Sequence, residues 1–550
     1  MINKKDPNRK RSTLSIYMVL MAVLALVYLS SLFFIHKHML YMLDSDMSSE
    51  MILSKVLSQE KRIITDSWYY STEIRFLNTQ LIQSFFFLFL KSWHTVRLLS
   101  TAVLHLILVV SVFSLCKRLR LKFYAPAVAT TLLLSMSASY FFYVLMGCYY
   151  IPHISISFFA VSLCLGFAQE QGKKKTILLF LSLLLALLSS VGGLRQIVII
   201  YVPLCLCIML LATVKIYKDG WDVACHSKIF RCCLISIANI AFCIIGYLIN
   251  VKVFASWFHF MVWQDMKYVS FDPVRLKDIF NDFLVSFGYF QGSLNLRSTF
   301  SNAVCAILVI LTIYSVVYGI SYMGKVSAEY TILASFYLCN LAIFVIMYTM
   351  TDMMYRQRYI YPISVFAFPL IAVALYETDF GKAPRHTKTV FGVLCFSTVI
   401  LRSVFMLSDL STVDKTRDLR QVCEYLSEAG YTNGYASFWN ANILTELSDG
   451  EIDVWAWPAP SLEGVNTSSV NDITKWLQKT EHFAHLPKGK VFLLYADAEV
   501  KHYARNEYLP DSAILYHTDA YTIYGFEDYD AMMGQFGEDQ AISMRSYSSD

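Results

Sequence analysis

Of the 550 residues in the chain, 56% are hydrophobic, 15% aromatic and only 16% charged. Ordinary globular chains carry roughly 25% charged residues; here too little polar surface exists to cover the apolar mass, which excludes soluble, disordered and fibrous classes. The net charge of +5 does not mark a nucleic-acid partner, because Lys and Arg are scattered in short segments between apolar runs and form no dense basic stripe.

A membrane-spanning helix needs about 20 apolar residues, since its backbone groups find no water partner in hydrocarbon. Eleven segments meet or approach that length: 13–36, 95–116, 123–146, 153–170, 175–190, 196–217, 229–251, 301–323, 330–350, 358–377 and 387–407. The fifth is short and runs through Gly192 and Gly193 almost directly into the sixth, as two spans or one broken helix. The first is too long for a signal peptide and no small-residue cleavage site follows it, so it reads as a retained helix. Thirteen cysteines lie mostly in or beside these runs. Cys205 with Cys207, and Cys232 with Cys233, lack CxxC spacing, so small buried apolar residues are the reading rather than a disulfide or metal framework.

Cytoplasmic loops collect Lys and Arg, which sets the orientation. Lys4, Lys5, Arg9, Lys10 and Arg11 place the N-terminus inside, and alternation then puts Lys117 to Lys122, Lys173 to Lys175, Lys215 to Arg231, and Lys382 to Lys388 on the same side. Outside remain loops at 37–94 and 252–300, short links near 147–152, 191–195 and 351–357, and a tail from 408. In the first loop, apolar positions 47, 51, 52, 53, 56 and 57 predict a helix from Met47 to Glu60 along the membrane surface. Phe76 to Leu90 is apolar but too short to span, and predicts a re-entrant or interfacial helix.

The tail alternates helical stretches (417–428, 471–483, 497–506) with strand-like runs at 434–439, 452–457, 490–496, 513–517 and 521–526. Gly430 reads as a helix C-cap and Pro487-Lys488-Gly489 as a turn before a strand. The expected organisation is therefore a basic cytoplasmic N-terminus (1–12), a transmembrane module (13–407), an extracytoplasmic α/β domain (408–529) and a flexible tail (530–550).

Chemistry-bearing residues gather in the external segments. Asp44, Asp46 and Glu50 follow the first span in DSDMSSE, and Glu73 and Arg75 follow in WYYSTEIRFLNTQ. A carboxylate at the mouth of a membrane cavity can act as a base toward a hydroxyl. The plainer readings are an N-cap for Asp46 and a solvated loop acid for Asp44. Arg195 in VGGLRQ, and Arg356 and Arg358 in YRQRYIYP, offer guanidinium forks that match phosphate oxygens. Snorkelling, or pairing with Asp352, is the alternative. His153, after GCYYIP, is able to bond a sugar or phosphate; a satisfied interfacial histidine is the plainer reading. The aromatic segment FASWFHFMVWQDMKYVSF reads as an interface belt, with Trp257, His259, Trp263 and Asp265 as a cavity wall in the minority reading. No Gly-rich phosphate cradle, GxSxG elbow or HExxH occurs, which leaves nucleotide hydrolysis, serine hydrolysis and zinc proteolysis unsupported.

This arrangement resembles the GT-C fold membrane glycosyltransferases, the class of the protein O-mannosyltransferases and the lipid A aminoarabinose transferase. The resemblance is topological over most of residues 10–407 and local in a few motifs. Asp44 and Glu50 match the spacing of the family's catalytic aspartate and the glutamate of its interfacial helix, with Asp46 a second candidate for the base. Glu73 matches a later glutamate, although Ile74 and Arg75 depart from the family's lysine and prolines. Arg358 and Tyr359 match an RYxxP-like helix entry and would contact a lipid phosphate.

The resemblance implies transfer of a sugar from a polyprenyl-phosphate donor to a glycan, lipid or protein acceptor, on the outer face of a bacterial plasma membrane, with inversion. No nucleotide or redox cofactor is implied, and a divalent metal is left open. Acids and arginines are expected in a single outward-facing chamber. A lipid-linked oligosaccharide flippase or other transporter, or a noncatalytic scaffold, are the rival classes.

Overall fold

The computed structural model describes residues 7–260, 266–292, 295–378, 385–457, 475–497, 509 and 511–535. Trp263, Asp265, Lys4, Lys5, Lys382, residues 498–506 of the expected helix at 497–506, and residues 536–550 of the expected tail lie outside the described residues. The chain forms two compact units, one of Met1–Ile35, Thr101–Asn250 and Trp263–Thr412, the other of His36–Ser100, Val251–Val262 and Val413–Asp550. The first four helices are α1 (Pro7–His38), α2 (Ser45–Glu60), α3 (Thr79–Phe87) and α4 (Trp93–Arg118).

The first unit is helical. Among the described residues ten helices are long and apolar enough to cross a membrane, and eleven spans result if Ala125–Leu133 and Ala138–Met146, bent by 97°, count as one. The protein is thus a polytopic helical membrane protein. The bent pair is the expected third span, and serines explain its break. Leu134 is extended, and the Ser137 hydroxyl accepts the Tyr140 amide at 3.1 Å, starting a new helix instead of continuing the old one. The fifth span runs Gly172–Val191, longer than its apolar stretch because Lys173, Lys174 and Lys175 occupy its first turn. Helix resumes only at Ile197, so the fifth and sixth are separate.

Two spans pack deepest: the windows in Ile151–Gln169 and Gln357–Glu377 are 83% and 78% buried, so they form the centre of the unit. Phe366 there meets Phe158 at 4.6 Å and Phe336 at 5.1 Å between ring centroids. In hydrocarbon, helices associate through close packing and interhelical hydrogen bonds. Asn340 accordingly donates to the Ile199 carbonyl at 2.8 Å, Ser182 to Asn239 at 3.1 Å, and Gly246 lies so near Leu187 that a Cβ would sit 2.4 Å from its carbonyl oxygen.

The second unit contains a five-stranded sheet in the order β3-β2-β5-β7-β6, from β2 (Asn433–Ser437), β3 (Asp453–Trp457), β5 (Val491–Ala496), β6 (Ile514–His517) and β7 (Tyr521–Phe526). β3, β2 and β5 are parallel, and β7 and β6 join antiparallel. β5 is VFLLYA, a nearly continuous apolar run buried on both faces, as the middle of a covered sheet requires. Gly430, at φ +75°, ends the helix Arg417–Glu428, with the Tyr431 amide donating back to Leu426 at 2.9 Å.

Two tail expectations change. The strand expected at 434–439 stops at Ser437, because a helix, Phe438–Leu447, begins there. Of the helix expected at 471–483, the described part, 475–483, is helical only from Glu481. Gln478–Lys479 forms β4, antiparallel to β1 (Trp68–Tyr69), before the short helix Glu481–Ala484. Leu477 sits at φ +52°, and the Leu477 and Thr480 amides donate to the carbonyls of Tyr69 and Ser67, so these amides are taken by the first loop and not by a helix ladder.

In the first loop α2 starts two residues before the expected Met47, and α3 is nine residues long where about fifteen were expected. α3 has an inverted face: Gln80 and Gln83 are buried, while Phe85 is exposed, as are Leu88 and Phe89 just beyond its end. Gln83 accepts the Ser54 hydroxyl of α2 at 2.8 Å, which explains why the polar side turns inward.

Candidate active site

The candidate acids all lie in the second unit. Asp44 is the N-cap of α2: its Oδ1 accepts the Met47 amide at 2.8 Å, so the cap is Asp44 and not Asp46. Asp46, in the first helical turn, is buried, whereas Asp44 is half-buried. One turn further, Glu50 is buried, pairs with the Arg75 guanidinium and accepts the Thr79 hydroxyl. Burial raises the Glu50 carboxyl above the usual range, against the opposing pull of Arg75 and the Thr79 hydroxyl.

Glu50, Glu73 and Arg75 line one recess with Ser49, Ser71, Trp68 and Tyr70. Burial pushes the Tyr70 phenol well above its ordinary value, so at neutral pH it is a neutral hydroxyl, already accepting the Thr65 amide. Trp257 is 63% exposed, which does not suit a cavity wall. His259 gives its carbonyl to the Tyr70 amide at 2.8 Å and its ring to Tyr69, with centroids 5.0 Å apart.

The acid turn is held by residues far away in sequence. Arg97, near the start of α4, is buried and bidentate to Glu446, at 2.8 and 2.7 Å, and also donates to the Met47 carbonyl at 3.1 Å. The Ser45 hydroxyl donates to the Phe438 carbonyl, and Asn442 Nδ2 donates to Ser45 Oγ at 3.0 Å. The helix Phe438–Leu447 is thereby fastened at both ends to the first turn of α2. Among the described residues no group of three or more His, Cys, Asp or Glu side chains is arranged to hold a metal ion.

Arg195, Arg356 and Arg358 lie in the first unit, and aromatic faces meet two of them. The Arg195 guanidinium lies 5.3 Å from the Tyr359 ring centroid, and that of Arg358 lies 5.4 Å from the Tyr143 ring centroid. Tyr359 stacks in turn on Tyr348. His153 is buried, and its Nδ1 pairs with the Gln196 amide nitrogen, next in sequence to Arg195. Its ring meets Tyr150, which also meets Tyr361, whose hydroxyl donates to Ser139 Oγ at 2.6 Å. Arg356 is exposed and makes no side-chain bond among the described residues; the Asp352 carboxylate suggested as its partner accepts the Lys267 amide instead. His153, Arg195, Arg358 and Tyr359 are therefore brought into one tyrosine-rich seam, and Arg356 stands outside it.

Sequence reasoning missed Arg97, Thr79, Tyr143 and Gln196. Arg97 had a signal, a charge inside the opening turns of an apolar run, which marks a buried partner. Gln196 and Tyr143 had none beyond being polar or aromatic beside candidate residues.

In fold the chain is similar to solved membrane proteins of the GT-C type. ArnT from Cupriavidus metallidurans in the apo state matches with a TM-score of 0.52 at 11% identity, over 92% of this chain and 97% of that one. The same protein bound to undecaprenyl phosphate gives a TM-score of 0.51, with the same identity and coverage. The oligosaccharyltransferase AglB from Archaeoglobus fulgidus, in complex with an inhibitory peptide and a dolichol-phosphate, gives 0.49 at 11% identity, over 90% of this chain and 70% of that one. No family model and no curated protein matches the sequence.

Proposed function

We propose that the protein transfers a sugar from a polyprenyl-phosphate donor to an acceptor hydroxyl of a glycan, lipid or protein, on the outer face of a bacterial plasma membrane, with its N-terminus in the cytoplasm. The observation that carries this reading is the first turn of α2, where Asp44 and Asp46 directly follow a span and a buried network fixes the turn. The undecaprenyl phosphate bound to ArnT, a protein of the same fold, supports the donor class.

In this reading Asp44 removes the acceptor proton. It is the more accessible of the two aspartates, and the Met47 amide on Oδ1 orients its carboxylate. The acceptor oxygen attacks the anomeric carbon, the bond to the lipid phosphate breaks, and one displacement inverts that carbon. Arg195 and Arg358 hold the phosphate and stabilise the charge that grows on it as it leaves. Stacking uses the guanidinium face, whereas phosphate oxygens meet its N–H edge. Glu50 and Arg75 keep α2 and the following segment in register, and Glu73 lies on the same recess as a sugar contact. No step calls for a nucleotide or a redox cofactor.

The test uses the purified chain in lipid nanodiscs, radiolabelled polyprenyl-phosphate sugars and a membrane extract as acceptor source. Wild type transfers label; Asp44→Asn does not, and Asp46→Asn retains transfer. Equal transfer by all three defeats the reading, and loss in Asp46→Asn alone moves the base by two residues.

A further inference from the structure

The span Ala328–Thr349 runs into Met350, Thr351 and Asp352 with no glycine to cap it, so its last four carbonyls need donors from elsewhere. The Met350 amide meets Ile346 at 3.0 Å, and the Thr351 hydroxyl meets Met347. The other two are served by the segment that opens the helix Pro273–Ser286. The Arg275 guanidinium donates to the Tyr348 carbonyl at 3.3 Å, and the Asp272 amide to that of Thr349 at 2.9 Å. The same segment follows the chain onward: the Val269 amide donates to Met350 at 3.0 Å, and Arg275 Nη1 reaches the carbonyls of Thr351 and Met353 at 2.7 and 3.1 Å. Every carbonyl from Tyr348 to Thr351 is thus bonded by residues 269–275, and the loop is held from outside itself.

This strap ends on a side chain. From the second half of the helix Pro273–Ser286, Asp282 Oδ2 accepts the Tyr355 hydroxyl at 2.8 Å. The Tyr355 ring meets Tyr348 edge to face at 5.4 Å between centroids, Tyr348 stacks on Tyr359 at 6.0 Å, and Tyr359 faces the Arg195 guanidinium. Arg358 lies in the same stretch of chain, next to Tyr359. The tyrosine stack beside the candidate phosphate-binding arginines is therefore tied, bond by bond, to a segment that carries neither of them.

We propose that Asp282 and Arg275 are positioning residues for the lipid-phosphate donor: they hold Tyr348, Tyr355 and Tyr359 in the arrangement in which Arg195 and Arg358 close on one phosphate. This rests on the transfer reading above, in which those two arginines take the phosphate. Without the Tyr355–Asp282 bond the stack populates other arrangements, and apparent affinity falls with the fraction that stays competent. A hydrogen bond of ordinary net strength sets that fall at about three- to tenfold. The effect is on binding and not on the transfer step, because Asp44 and Asp46 stand in the other compact unit.

The test is titration of the full-length protein in lipid nanodiscs with a dansyl-labelled polyprenyl phosphate and, in parallel, a dansyl-labelled polyprenol, read by energy transfer from tryptophan. Wild type prefers the phosphate. Tyr355→Phe, which keeps the ring and deletes the hydroxyl, and Asp282→Ala each raise the Kd for the phosphate by about three- to tenfold, and the double variant is no weaker than the poorer single one. Asp282→Asn, whose amide oxygen still accepts from Tyr355, stays near wild type. Polyprenol binding is the same in all of them, and in transfer the donor KM rises while kcat holds. An unchanged Kd in Tyr355→Phe and Asp282→Ala, full additivity in the double variant, or an equal loss of polyprenol binding overturns the proposal. Arg195→Ala separates it from the reading beneath it. Loss of the phosphate preference in Arg195→Ala with none in Tyr355→Phe removes the positioning role alone, whereas a wild type that does not prefer the phosphate removes both.

Discussion

The acid-bearing turn and the arginine-bearing seam differ in the contacts around their charged groups. Around Asp44, Asp46 and Glu50 the polar restraints are directional bonds: a cap, the buried Glu50–Arg75 pair, the Arg97–Glu446 fork, and Ser45 between Phe438 and Asn442. Arg195 and Arg358 each lie against a tyrosine face, in a seam that also holds the His153–Gln196 and Tyr361–Ser139 hydrogen bonds. Hydrogen bonds fix an atom to a few tenths of an ångström, and a buried group that loses its partner is costly. A cation on a ring face is attracted over a broad area and tolerates movement. In the proposed transfer, a carboxylate that must meet one particular proton would need the first kind of support, whereas guanidiniums that follow a departing phosphate could use the second. The acid turn should accordingly fail abruptly on mutation and the seam gradually.

The largest effect expected is on chemistry. Asp44→Asn keeps a residue that caps helices as well as aspartate does, so its melting temperature stays at the wild-type value while transfer falls by about 10²- to 10⁴-fold, the usual contribution of a general base. Asp44→Ala loses the same activity and, in addition, about 1 kcal/mol of stability with the cap. A melting loss in the asparagine variant would show that the turn needs the charge for structure.

Next is the support itself. Arg97 and Glu446 are 3% and 2% exposed, so Arg97→Ala leaves a buried carboxylate with no cation and should cost about 3–5 kcal/mol, read by thermal melting. The double variant Arg97→Met, Glu446→Leu should recover part of that loss, because the cost lies in the orphaned charge. In the seam the effect is smaller. Tyr143→Leu should cost about 0.5–2 kcal/mol of donor affinity through Arg358, appearing as a higher KM for the lipid donor, while Tyr143→Phe keeps the ring and stays near wild type. An abrupt collapse of Tyr143→Leu would break the contrast between the two regions.

What could be read in advance follows the range of the interactions. Spans and strands report themselves through local runs of apolar residues, which is why the helical class and the five tail strands were legible. The cap of α2 was nearly so: DSD offers two candidates, and only the coordinates place the Met47 amide on Asp44. The helix Phe438–Leu447 carried a signal that was passed over, with Phe438, Ala441, Leu444 and Leu447 recurring every three residues. The bend in the third span was signalled by Ser135 and Ser137 inside an apolar run. The Arg97–Glu446 fork joins positions 349 apart, and no local pattern announces such a partner. The same holds for Gln196 on His153 and Tyr143 under Arg358, where the sequence gives the polar residue but not the surface it rests on.

The smallest effect is also the one that tests whether the acid turn is held by charge or by hydrogen bonding. Burial raises the Glu50 carboxyl, so the folded state favours its neutral form more than the unfolded chain does. The stability linked to that proton is fully present below the ordinary glutamate range and is lost as pH rises through the raised folded value. Glu50→Gln keeps the shape and does not titrate; its one carbonyl oxygen accepts from Arg75, and its NH2 group donates to the Thr79 hydroxyl oxygen. Wild type and Glu50→Gln should therefore melt closest together at about pH 4, and the glutamine variant should gain on wild type as pH rises toward neutrality. The quantity to follow is the difference in melting temperature between the two proteins, since groups common to both largely cancel in it. If wild type instead gains on Glu50→Gln with rising pH, attraction between the carboxylate and Arg75 outweighs the cost of burying the charge, and the turn is held electrostatically.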